Sequence, residues 1–531
     1  MKKASKSKLM SMWTLSESIA DCIASSMRLM RKWQGAARAI GAIVMLGCLT
    51  GSQAQAATAS LVKDINPTGN TQSFIQNFGT IGHNFSHTEF TLVGDTFYFV
   101  ANDGVHGNEL WKSDGTEAGT ALVLDIDTGS SGFVSDITAL GTKVYFIADD
   151  GIHGRELWQS NGTAAGTTMV SDVNVGPTGS TPASLTAVGD SIFWSANNGV
   201  NGVELWETDG TTTVMLADNP TGHSFPTDLI EFAGKLFYAR HDGFGAANEL
   251  WVSDGTEAGT GFVRGLPAAS GEDGFLTLKT MRNVVGGFLY FVVKVNSSND
   301  SLWRTGGTTA TTVKVGNINS PGNIVSIGGN LIFTGKSTFT PQRLWRIVSG
   351  TNLSVEPVDD GNPAGGPIAT DRLVKADNRV FFAGSSNVGS IRGLYETDGT
   401  SAGTRLVKVF PNGSALASPV AKLTAFQDKV IFVIADAEHG SELWISDGTS
   451  DGSVELANIN TQPELFFGVD GSSNPDWLTV IGDTVYLSAD DGISGKELWK
   501  INVNETPPNT EDRDFCVPIK TQNGAVALIC L

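Results

Sequence analysis

Between residues 137 and 173 short apolar runs alternate with turn residues, and the pattern reads as four strands. Ile137 to Leu140 is the first, followed by a tight turn at Gly141-Thr142. Lys143 to Ala148 (KVYFIA) is rich in the β-branched and aromatic side chains that suit a pleated surface. Asp149-Asp-Gly-Ile-His-Gly154 predicts a loop, Arg155 to Ser160 a third strand and Asn161-Gly162 a hairpin turn. Thr168 to Val173 makes the fourth strand, and no 11-residue window carries the apolar spacing of a helix.

The same pattern recurs along the chain. Glu-Leu-Trp stands at 109–111, 156–158, 204–206, 249–251, 442–444 and 497–499, with degenerate copies Ser301-Leu-Trp303, Arg343-Leu-Trp345 and Gly393-Leu-Tyr395. The aromatics follow one another at intervals of 42 to 55 residues, which makes nine units. Four antiparallel strands per unit predict an all-β fold, a single closed β-propeller whose strands are apolar on both faces because each blade packs between two others. The count is nine four-stranded blades, or eight if the irregular stretch 262–361 is displaced. Trp499 is followed by no Asp-Gly turn and no fourth strand, whereas Ser60-Leu-Val-Lys-Asp-Ile65 matches the fourth strand Ala121-Leu-Val-Leu-Asp-Ile126. The N-terminal strand is therefore expected to complete the last blade and close the ring, leaving no open edge.

Composition adds the compartment. Glycine, 63 of 531 residues, runs well above its usual ~7% and suits many tight turns, while 40% hydrophobic residues rule out wholesale disorder. A net charge of −20 argues against nucleic acid as a partner. Residues 1–38 hold eight basic and two acidic side chains; the apolar run Ala39 to Leu49 and the small-residue site Ala54-Gln-Ala-Ala57 follow. These are the parts of a secretory signal peptide over 1–56, of ordinary length if translation starts at Met27 or Met30. Lipoprotein processing at Cys48 is the rival reading. The remaining chain, at −26, is expected to be a soluble, exported monomer without a transmembrane segment, since no later run approaches the ~20 apolar residues of a spanning helix. Residues 57–503 form the propeller, 504–514 a linker and 515–531 a C-terminal hairpin. A three-residue loop Gln522-Asn-Gly524 sets Cys516 opposite Cys530, close enough for a disulfide, which agrees with export.

Several units continue into a longer string, as in Glu109-Leu-Trp-Lys-Ser-Asp-Gly-Thr116. On that octapeptide the chain resembles the bacterial ELWxxDGT repeat family of exported proteins over roughly residues 60–503. The resemblance implies a propeller-like β fold and no established activity. The copies at 301–308 and 343–351 lose the Glu and the Asp.

Residues that recur in most units are expected to serve the blade. Trp111, Trp158, Trp206, Trp251, Trp444 and Trp499 fill the space between blades, and Glu109, Glu156, Glu204, Glu249, Glu442 and Glu497 accept backbone N–H groups. Asp114, Asp209, Asp254 and Asp447 build turns by bonding the backbone two residues on. The loop between second and third strands shares a rim with the connection into the next blade. It gathers Asp103, Asp125, Asp127, Asp149, Asp150, Asp490 and Asp491, oxygen donors of the kind Ca²⁺ takes, against the plainer reading that they make turns. His106, His153 and His439 recur at one loop position, but histidines of separate blades point apart and make a poor zinc site.

An active site should break the repeat. His223, Arg240 and His241 in the fourth unit do so, as do His83 and His87 in the insertion 66–90. No nucleophile elbow, zincin helix or phosphate-binding loop is present. The repetition favours an exported non-catalytic binding, adhesion or scaffold protein that offers its loops to a surface glycan or extracellular protein. The alternative is an exported carbohydrate-active or redox enzyme on a propeller.

Overall fold

A computed structural model describes residues 57–67, 90–217, 222–241, 248–267, 278–293, 300–337, 342–347, 354–358, 368–369, 372–385, 392–410, 420–436, 440–462, 471–504, 516–520 and 526–530. The fold is an all-β propeller, as the repeat predicts. Unit 2 shows the pattern in full: strands Ser135–Leu140, Lys143–Asp149, Arg155–Ser160 and Thr168–Ser171 pair antiparallel in that order. The one departure inside it is a 3-10 turn at Ala164–Gly166, where Thr163 caps the backbone N–H of Gly166.

Among the described residues the propeller has eight sheets, and they carry nine repeat units. Six sheets have four strands and one has five, because both Ile368–Ala369 and Val374–Ala376 pair with Arg379–Ser385. The remaining sheet has seven strands. There, Val313–Ile327 is at once the outer strand of unit 5 and the inner strand of unit 6. The irregular stretch is fused into its neighbour, not displaced. Ser320 and Asn323 keep positive φ inside that strand, the same left-handed pair that opens other units at Phe133/Asp136, Thr181/Ser184, Phe225/Asp228 and Asn474/Trp477.

The ring closes as expected. Ala59–Lys63 pairs antiparallel with Lys496–Asn502 and supplies the outer strand of unit 9. Unit 9 then packs on unit 1 through Phe90, Phe97, Phe99, Trp477 and Tyr486, and Lys500 Nζ donates to Gly115 O at 2.9 Å. Every core cluster lies between successive units. Tyr98, Leu110 and Val123 of unit 1, for example, meet Val144, Phe146 and Trp158 of unit 2. The Asp-Gly turn locks the same interface. Gly115 (φ +84°) sits against the Tyr486 hydroxyl and Gly162 (φ +84°) against that of Tyr98, where a side chain would collide.

Residues 57–506 form one compact unit, and the C-terminal hairpin belongs to another. Cys516–Lys520 pairs with Val526–Cys530 in a register that sets Cys516 opposite Cys530; their side chains lie outside the described residues. The signal-peptide reading of 1–56 lies outside them too. Among the described residues no helix is long and apolar enough to cross a membrane.

Candidate functional site

In units 1, 2, 3, 8 and 9 the Glu of Glu-Leu-Trp clamps the connection into the following unit. Glu109 accepts N–H bonds from Ile126 (3.2 Å) and Gly132 (2.5 Å). Glu156 accepts from the backbone of Val173, Asn174 and Ser180 and from the Ser180 hydroxyl. Glu204 holds Ser224, Glu442 holds Ile459 and Ser473, and Glu497 holds Ile65. All five are buried. Desolvation pushes Glu109 and Glu442 up to about 7 and raises Glu156 as well, against the pull of their N–H donors. In unit 4 the half-buried Glu249 instead accepts the Trp251 indole N–H at 2.8 Å, and in unit 5 Ser301 does the same for Trp303 at 3.0 Å.

The turn aspartates bond locally. Asp114 accepts both the N–H and the hydroxyl of Thr116, and Asp209, Asp254 and Asp447 repeat this with Thr211, Thr256 and Thr449. The Thr211 hydroxyl and neighbouring N–H groups hold Asp209 down to about 2. Tryptophans 111 and 158 lie buried in the clusters between units, while Trp206, Trp251, Trp444 and Trp499 pack at their edges.

On the rim, Asp103 accepts from Val105 N and His106 N and meets His106 Nδ1 at 2.7 Å. Asp150 does the same with Ile152 and His153, and Asp491 with Ile493 and Ser494. Asp149 and Asp490 each accept from the glycine two residues on, and Asp127 from Gly129. Asp125 heads the connection that Glu109 clamps, with one carboxylate oxygen shielded from solvent. The structure spreads these seven aspartates over the rims of units 9, 1 and 2. Among the described residues no three His, Cys, Asp or Glu side chains converge to hold a metal ion.

Unit 4 is different. His223 occupies the place that Ser131 and Ser472 hold in units 1 and 8. There a serine hydroxyl accepts the N–H that opens the third strand, from Asn108 (3.0 Å) and Ser441 (3.1 Å). Here Val203 N donates to His223 Nδ1 at 2.8 Å, so the neutral ring carries its proton on Nε2. His241 stands at the end of the second strand, at the position of Asp149 and Asp490. Its N–H donates to Ser224 O as theirs do to Gly132 O and Ser473 O. Between the two lies Phe225, its ring centroid 4.6 Å from His223 and 5.1 Å from His241, with interplanar angles of 21° and 9°. The stack runs inward from exposed His223 through half-buried Phe225 to buried His241. Arg240, at a position that is alanine in units 1 and 2, lies 4.3 Å over the Trp251 ring.

The structure thus joins His223 and His241, which the sequence offered separately, and adds Phe225, which it did not offer. Laying the units in register shows both histidines replacing a serine and an acidic residue; Phe225 gave no such signal, since Phe133 holds its place in unit 1. His83, His87 and His439 lie outside the described residues.

No family model matches the chain, and no curated protein does. Among solved structures it is similar to a puromycin-hydrolyzing peptidase of Mycobacterium tuberculosis, at 12% identity over 66% of this chain and 57% of that one, TM-score 0.36. It is similar to prolyl endopeptidases at 13% identity over 60% and 47% (TM-score 0.35), and to a puromycin hydrolase at 13% over 65% and 57% (TM-score 0.32). The chain spans about half the length of these proteins, all of them enzymes. That likeness gives no support to the expected non-catalytic binding or adhesion platform, which is withdrawn here. It goes no further: at such identities and scores the likeness transfers no substrate, residue or mechanism to this chain.

Proposed function

We propose that the chain is an exported carbohydrate-active enzyme on a propeller, its chemistry at the rim of unit 4, and a member of the ELWxxDGT repeat family. The observation that carries this is the ring stack His223–Phe225–His241, where the repeat exchanges residues that serve the blade for imidazoles. An exposed imidazole anchored at Nδ1, with its proton on Nε2, is oriented to exchange that proton with a bound hydroxyl or leaving oxygen, the general acid–base step of glycoside cleavage. Phe225 and buried His241 hold the ring plane, so His241 is a positioning residue. Amide groups on the neighbouring rim, such as Asn198 bonded to Asn201 at 2.9 Å, offer hydrogen-bond partners to sugar hydroxyls. A Cys516–Cys530 disulfide is part of the same proposal for an exported protein. Its redox rival would need a cofactor site, and no motif in the sequence supports one.

The test uses the repeat's own residue. Soluble polysaccharides and oligopeptides are offered in parallel to wild type and to His223→Ser, and release of reducing ends or amines is followed. Serine is what units 1 and 8 carry there, so the variant should melt as wild type does. Reducing-end release that falls about 10²-fold or more in the variant supports the reading, in line with the usual worth of general acid–base catalysis. Unchanged release, or cleavage of peptides only, sinks it.

A further inference from the structure

The five most exposed large apolar side chains among the described residues are Val175 and Val200 (87%), Val105 (75%), Ile493 (67%) and Ile152 (66%). All five lie on one rim of four consecutive units. Ile493, Val105, Ile152 and Val200 occupy the same place in the loop between second and third strands of units 9, 1, 2 and 3, and Val175 lies in the connection between the last two. Single exposed aliphatics are ordinary, whereas four that recur at one loop position, with a fifth on the same rim, are a repeated feature of the arc.

The backbone holds them out. Each of the four loop residues donates its N–H to the side-chain oxygen two residues before it, from Asp491, Asp103, Asp150 or Asn198. The glycine preceding each has φ between +75° and +80°. It sits against the connection beside it, at Asn460, Asn66, Asp127 or Asn174, where a Cβ would crowd the side chain. Loop and connection therefore brace each other around the arc, and the aliphatic groups are presented on fixed turns.

The charge around them points to the occupant. Segments 64–67, 102–108, 125–134, 149–155, 172–182, 197–203 and 490–496 contain nine aspartates and two cations, Arg155 and Lys496. Lys496 is buried, and half-buried Arg155 donates to Ser135. A second copy of this chain would bring the same acidic rim and a net charge of −20. A membrane surface would meet aspartates with no exposed Lys or Arg to engage its headgroups. We propose that this arc docks a polypeptide segment that is both aliphatic and basic. Its apolar side chains would cover the five tips while its lysines or arginines face the aspartates between them.

The experiment is fluorescence anisotropy of the full chain with labelled peptides of alternating leucine and lysine, leucine and glutamate, or lysine and glycine. It is repeated with the combined variant Val105→Ser, Ile152→Ser, Val200→Ser, Ile493→Ser. The expected result is binding of the leucine–lysine peptide alone, weakened about tenfold or more in the variant. Hydrogen exchange on the wild type gives a readout that does not depend on the variant folding: the peptide should protect segments 103–106, 150–153 and 198–201. Equal binding by the variant overturns the proposal, as does equal affinity for lysine–glycine, or protection elsewhere only. Tip-dependent binding to phosphatidylcholine vesicles in place of the peptide would make the arc a lipid surface, and tip-dependent dimerisation in sedimentation a self-contact; either overturns it too.

Discussion

Units 8, 9, 1, 2 and 3 differ from units 4 to 7 in one side chain and what it holds. In the first group a buried Glu accepts hydrogen bonds from the connection into the next blade, from the Ile65 N–H at Glu497 to as many as four at Glu156. In the second group the Glu is turned to its own tryptophan (Glu249) or replaced by Ser301, Arg343 or Gly393. Unit 5 then has no separate connection at all: its outer strand runs on as the inner strand of unit 6. Other locks appear instead. In unit 7 the buried Glu396 pairs with Arg379 (3.2 Å) and Arg405 (2.6 Å), whose guanidiniums reach the backbone of Asp447 and Gly448 in unit 8. His223 and His241 stand at the border between the two groups, beside Ser224, which the last clamping Glu of the first group, Glu204, still holds.

The largest expected effect lies in the clamped half, at the seam. Deleting residues 57–63 exposes the edge of Lys496–Asn502 and the apolar groups that Val62 covers. Such an edge invites pairing with other chains, so the truncated protein should aggregate or unfold at temperatures where the full ring is intact. A truncated chain that stays monomeric with an unchanged melting midpoint would show that the seam does not hold the ring.

Next comes the comparison of clamps. Glu156→Ala leaves the N–H donors of half-buried Val173 and Asn174 and the buried Ser180 hydroxyl without their acceptor, a loss of about 3 kcal/mol at ~1 kcal/mol for each group. Glu249→Ala frees one indole N–H and should cost about 1 kcal/mol. Urea midpoints of the two variants measure the difference; equal costs would erase the distinction between the halves.

A smaller effect is electrostatic. Glu109 is raised from its ordinary 4.5 to about 7 by burial, so the folded chain binds this proton more tightly than the unfolded one. Its contribution is complete below about 4.5 and is lost as pH rises through about 7. Glu109→Gln, uncharged at every pH, should therefore gain on wild type across that window, narrowing whatever gap separates them in acid. A gap that widens with pH would mean that the N–H donors outweigh desolvation.

Much of this frame was legible in the chain. Glu-Leu-Trp at intervals of 42 to 55 residues carried the blade, the match of 60–65 to 121–126 carried the closure, and the Gln522-Asn-Gly524 loop set the Cys516–Cys530 register. The fused sheet was not legible, because Ser320-Pro-Gly322 reads as a turn while the backbone absorbs it as irregularities in a continuous ladder. The stack in unit 4 was half legible. Two histidines out of pattern can be seen in one sequence, but their meeting around Phe225 depends on the left-handed backbone at that residue (φ +38°), which no local propensity announces.

The smallest expected effect concerns the acidic rim. Asp103, Asp150 and Asp491 each spend one oxygen on two backbone N–H groups, and Asp149, Asp490 and Asp127 each hold a glycine N–H. A cation would have to draw these carboxylates together against the turns they stabilise. Millimolar Ca²⁺ after chelation should therefore leave the melting midpoint of residues 57–531 where it was. Were the rim a set of calcium sites, mass action would raise stability by about 2.7 kcal/mol at a hundredfold excess over the dissociation constant. Asp150→Asn should abolish that gain, because the amide would keep the turn while losing the charge. A calcium-selective rise that Asp150→Asn removes would thus return the aspartates of the regular half to metal binding, and place that chemistry apart from the imidazole stack of unit 4.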